Sequence, residues 1–122
     1  MEGRLKEKID SLFSEASSLP RKIREQATFL YKKDWLFFRN VGIPKETFVA
    51  EAVGTIYEYL RAHVDESPFG DDLKELIQNN LSPEGAIKFI CSRTEGILRD
   101  NYRKEKRRNL KISSFELQIT TH

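Results

Sequence analysis

A single cysteine, two histidines and no long apolar run leave several classes of protein without their raw material. Cys91 has no partner in the chain, so no internal disulfide can form, and a reducing cytoplasm is the expected compartment. His63 and His122 stand far apart with no Cys/His spacing around them, so there is no case for a structural zinc. No stretch approaches the roughly 20 apolar residues of a membrane span, and no leader-like pattern is visible. Glycine-rich phosphate loops, a nucleophile elbow and a catalytic triad are also missing, which argues for a non-catalytic protein without a cofactor.

What the chain does have is charge, unevenly spread. Its net charge of +2 at 122 residues hides a division. Residues 1–43 carry nine Lys/Arg and six Asp/Glu, residues 44–92 four and nine, and residues 93–112 eight and three. An acidic middle is thus followed by a basic block, the asymmetry expected of an interaction surface rather than an evenly solvated shell. At its densest, "ILRDNYRKEKRRNLK" from Ile97 to Lys111 sets seven basic residues against two acids.

Apolar spacing predicts helices nearly throughout, and a single domain of this length buries roughly two-thirds of its unfolded surface. Over residues 3–17, Leu5, Ile9, Leu12, Phe13 and Ala16 share a stripe that "SSLP" ends. A second helix is predicted from Arg21 to Asn40, with Ile23, Ala27, Leu30, Tyr31, Trp35 and Phe38 facing the core and Gly42 as its stop. Pro44 suits the start of a third, striped by Phe48, Ala52, Val53, Ile56, Tyr57 and Leu60. A short helix is expected near Asp71 to Asn79, after the acidic loop "HVDESPFGDD". Ser82, Pro83 and Glu84 then read as cap, first turn and favourable charge for a last helix running to about Arg108. The fold class is therefore all-α, a compact bundle of about four to five helices.

The basic end of that last helix can be read in two ways. Cations near a helix C-terminus gain up to about 1 kcal/mol each from the dipole, and Glu95 with Arg99 is an ordinary i,i+4 pair. Arg103, Lys104, Lys106, Arg107 and Arg108 nevertheless repel one another with only Glu105 among them. Dipole stabilisation fades beyond the last turn, so an anionic ligand accounts better for the excess.

"AIKFICSRTEGILRDNYRKEKRR" resembles the second conserved region of bacterial sigma factors, of the extracytoplasmic-function type or a divergent form. Phe89 and Ile90 match that pattern's helix start, Asp100 its acid, Tyr102 its aromatic and Arg103 to Arg108 its basic run. "FLYKKDWLFFRNVGIPKETFVAEAVGTIYEYL" is similar to the two preceding helices of the region. Glu51, Ala52, Val53, Ile56, Tyr57 and Leu60 keep its apolar spacing. The pattern's Gln-Glu pair falls on Gly54 and Thr55 and its Arg-Asn on Glu95 and Gly96, and Gly96 reads as a close approach or a bend. The domain division that follows is an N-terminal amphipathic helix and linker over 1–24, a sigma-like domain over 25–112 and a tail over 113–122.

The resemblance implies a transcription initiation domain that docks on core RNA polymerase and opens the promoter element nearest the start site. The polymerase contact, a coiled coil of the largest subunit, would fall on Glu51, Thr55, Glu58 and Tyr59. The non-template strand of promoter DNA would meet Arg99, Tyr102, Arg103, Lys104, Lys106, Arg107 and Arg108. Cations hold phosphates and aromatics stack on unpaired bases, so these residue types suit a melted strand. Tyr102 reads equally well as a core-edge tyrosine, and Trp35, Phe37 and Phe38 read as core. An anti-sigma protein is a further partner class implied by the resemblance. Two alternatives stay open: a helical adaptor for an acidic protein, and a general nucleic-acid-binding module using the basic helix 97–111.

Overall fold

A computed structural model describes the backbone of residues 2–79 and 82–120 and the side chains of residues 5–78 and 82–104. Six helices occur among the described residues, with no strand among them: α1 (Glu2–Leu12), α2 (Leu19–Lys33), α3 (Trp35–Val41), α4 (Lys45–His63), α5 (Phe69–Asn79) and α6 (Glu84–Thr120). The all-α expectation holds, with one helix more than the four or five expected. Both α2 and α4 pack against α6 and against each other, while α5 bridges α6, α4 and α1.

Helix ends follow local chemistry. α1 stops at Leu12 rather than near residue 17, because the serine-rich segment offers the backbone other partners. There the Ser11 hydroxyl donates to the Lys8 carbonyl at 2.8 Å and the Phe13 amide to that of Asp10 at 3.1 Å. Gly42 closes α3 with φ 76°, a left-handed conformation that glycine adopts without a Cβ penalty, and its N–H donates to the Phe38 carbonyl. At the start of α6 the Ser82 hydroxyl accepts from the Glu84 amide at 3.3 Å, as its capping position requires.

The expected helix from Arg21 to Asn40 is broken at Asp34, whose φ of −105° and ψ of 35° lie outside the helical region. A backbone break resets the rotational phase of every later side chain. Phe38 therefore turns fully inward, while Trp35 and Leu36, expected in or beside the apolar face, stand 54% and 56% exposed. Asp34 has weak helix propensity and a carboxylate that competes with the helix for hydrogen bonds, which makes it the natural break point in "KKDWLFF".

One core runs through the molecule. Ile9 and Leu12 of α1 and Leu19 and Ile23 of α2 belong to it together with Leu30, Ile56, Leu60, Leu73 and Ile90. α1 and the start of α2 thus supply part of the same core. Tyr57 of α4 strengthens this attachment: its hydroxyl donates to the Asp10 carboxylate at 2.5 Å and its ring meets Phe13 edge-on at 5.2 Å. Thr94 is a polar residue buried in α6, and its hydroxyl donates to the Ile90 carbonyl at 2.8 Å. Cys91 is half-buried against the core, and burial pushes its thiol pKa up. No helix among the described residues is long and apolar enough to cross a membrane.

Candidate functional site

α6 buries one stripe, Ile87, Ile90, Thr94, Ile97, Leu98 and Tyr102. Lys88, Ser92 and Arg103 are exposed on the other side, and Glu95 and Arg99 are half-exposed. Tyr102 ends the stripe as an aromatic keystone. Its ring centroid lies 4.6 Å from Phe37, 5.0 Å from Phe38 and 6.3 Å from Phe48, and the residue is only 4% exposed. In this arrangement its ring is buried among phenylalanines, so the core-edge reading describes it better than that of an open stacking platform.

The Tyr102 hydroxyl donates to the Asp34 carboxylate. Burial first, then the Asp34 carboxylate, pushes the phenol's pKa up to about 12, because both disfavour a phenolate there. The Arg99 guanidinium lies beside this pair, and the hydroxyl, followed by the Glu95 and Asp34 carboxylates, holds its pKa above the ordinary guanidinium range. Glu95 accepts from Arg99 at 2.8 Å and from Lys33 at 3.2 Å. α6 is thereby tied across to the end of α2 through exposed ion pairs that are individually weak.

The cations of α6 consequently divide. Arg99 turns toward α2 and the Asp34 break and is occupied by Glu95. Lys104 lies one position round from Arg103, and both are exposed. Lys104 and Asp100 line a groove of about 360 Å³ between α4 and α6, which also takes in Thr55, Glu58, Tyr59 and His63. Three of the four residues expected to touch polymerase therefore share a surface with one of those expected to touch DNA. Lys106, Arg107 and Arg108 lie outside the side chains described.

On α4, Glu51 and Glu58 are exposed and two turns apart, so they fall on one face. Thr55 is half-buried and donates to the Glu51 carbonyl at 3.0 Å. Tyr59 is half-buried too; its ring meets His63 at a tilt at 4.2 Å and Phe69 edge-on at 5.5 Å. The outer face of α4 is thus acidic with one fixed aromatic. No group of three or more metal-binding side chains occurs among the described residues.

Of the two readings of Gly96, a close approach or a bend, the close approach does not hold: nothing lies within 4 Å of the position a Cβ would occupy, and the residue is exposed. The close approach belongs instead to Gly70, where a Cβ would collide with the Val64 carbonyl oxygen. Sequence reasoning also missed Asp34 and Lys33. A lone acid between two lysines and four apolar residues, "KKDWLFF", is the signal that could have found them.

No family model, curated protein or solved structure matches the chain.

Proposed function

We propose that this chain is a non-catalytic transcription initiation domain of the sigma region 2 kind, which docks on core RNA polymerase through α4 and holds the melted promoter strand along α6. The observation that carries the reading is the pairing of an acidic outer face on α4, at Glu51 and Glu58, with a basic continuation of α6 beyond Tyr102, the last buried residue among its described side chains. Once α6 passes Tyr102 its run "RKEKRR" has no fold-building apolar residue in it, so its composition answers to a ligand rather than to the core. Arg103 and Lys104, and after them Lys106, Arg107 and Arg108, supply phosphate contacts. Tyr102 supports this strip from inside by fixing the α6 turn against α3. The acidic face of α4 suits a basic stretch of polymerase coiled coil, and Tyr59, held by His63 and Phe69, gives it a rigid aromatic anchor.

The test is capture of purified bacterial core polymerase by the immobilised full chain. Retention at moderate salt supports the reading. Absence of retention, with the chain shown folded by its helical circular dichroism, overturns it.

A further inference from the structure

We propose that Trp35 is a stacking platform for an unpaired base of single-stranded DNA, with Lys32 and Arg39 taking the adjoining phosphates. This rests on the nucleic-acid reading above but assigns the stacking to a different helix from the one its resemblance implies. The starting observation is exposure. Phe29, Trp35 and Leu36 stand 62%, 54% and 56% exposed within eight positions of one another. Single exposed apolar residues are ordinary, whereas a cluster of large ones at one place marks a contact surface.

Charge selects the occupant. Lys32, Lys33 and Arg39 flank Trp35 in the chain and are all exposed, Lys33 being paired with Glu95, and the one acid in that stretch, Asp34, has its carboxylate turned to the Tyr102 hydroxyl. Arg39 lies one turn beyond Trp35 on α3, so the guanidinium and the indole share a face. The Asp34–Tyr102 bond also sets the residue that precedes Trp35 against α6, beside the turn that carries Arg99. A planar ring between cations fits a polyanion that also presents flat faces. A single strand does so, whereas a duplex keeps its base faces stacked internally and an acidic peptide has none.

Trp35 is the single tryptophan of the chain, so its fluorescence reports the contact directly. The full chain would be titrated at low salt with a single-stranded oligonucleotide of mixed sequence, the same sequence as duplex, and polyglutamate. The single strand is expected to quench the emission saturably, and the duplex and polyglutamate to quench it much less. Trp35→Ala, a change at an exposed site, should lower single-strand affinity on the order of tenfold with the salt slope unchanged. Trp35→Phe should recover part of that loss. A single strand that binds without quenching, with Trp35→Ala binding equally well, overturns the Trp35 assignment and leaves the basic strip standing. Equal quenching by polyglutamate overturns it in favour of an acidic protein partner. A chain that binds no single strand at all overturns it as well, and polymerase capture then decides the wider reading separately.

Discussion

Asp34 and Tyr102, 68 positions apart, are joined by a hydrogen bond from the phenol to the carboxylate at the place where α2 breaks into α3. One bond thereby fixes two things: the direction of α3, and with it the exposure of Trp35, and the seat of the α6 turn from which the basic strip departs. Tyr102→Phe should cost about 1–2 kcal/mol, the value of a partly buried bond to a charged acceptor. Tyr102→Leu should cost more, about 2–4 kcal/mol, because the ring packing on Phe37 and Phe38 goes too. Urea denaturation ranks the two; equal stability of all three proteins would mean that the bond and the ring packing contribute nothing.

The same phenol gives a pH signature. Its pKa lies near 12 in the folded chain against an ordinary value of 10.0, so the folded state holds the proton more tightly than the unfolded one. Its contribution to stability is therefore complete below pH 10 and is lost as pH rises from there through about 12. Phenolate absorbance in an alkaline titration should show a late component from Tyr102. The late component should be missing from Tyr102→Phe.

Two glycines should respond to alanine with opposite signs. Gly96 is exposed within α6 with open space at its Cβ position, so Gly96→Ala should stabilise by about 0.5–1 kcal/mol through helix propensity. At Gly70 the added Cβ meets the Val64 carbonyl oxygen, a backbone atom that cannot swing aside, so Gly70→Ala should lower the melting temperature. Thermal melts of the two variants check both signs at once.

Most of the bundle is legible in the sequence because a period near 3.6 marks a buried face wherever a helix is straight. The α4 and α6 stripes illustrate this: Phe48, Ala52, Ile56 and Leu60, and Ile87, Ile90 and Thr94, are buried where their spacing puts them. The rule fails at Asp34, since periodicity extrapolates a phase and a single non-helical residue resets it. Trp35, expected in the core, accordingly stands at the surface. Tyr102 is ambiguous in the sequence for a related reason. It sits at the stripe's edge, and only the position of α3 decides whether phenylalanines or solvent cover its ring.

Charge reversal on α4 tests the docking face. Glu51 and Glu58 are exposed and share one side of the helix, so replacing both with lysine should weaken core polymerase capture on the order of tenfold and make the remaining capture less sensitive to salt. Helicity should be unchanged. Undiminished capture would move the docking surface elsewhere.

The strip on α6 is tested most directly by affinity for a single-stranded, promoter-like oligonucleotide at several salt concentrations, measured with core polymerase present. Removing one cation from the phosphates should reduce the magnitude of the salt slope by about 0.7 on a single strand. Replacing Arg103, Lys104, Lys106, Arg107 and Arg108 together by glutamine should therefore flatten the slope by up to about 3.5 and weaken binding to every sequence alike. An affinity and a slope both unaltered by those five changes would contradict the account and leave the basic run a solvated helix end.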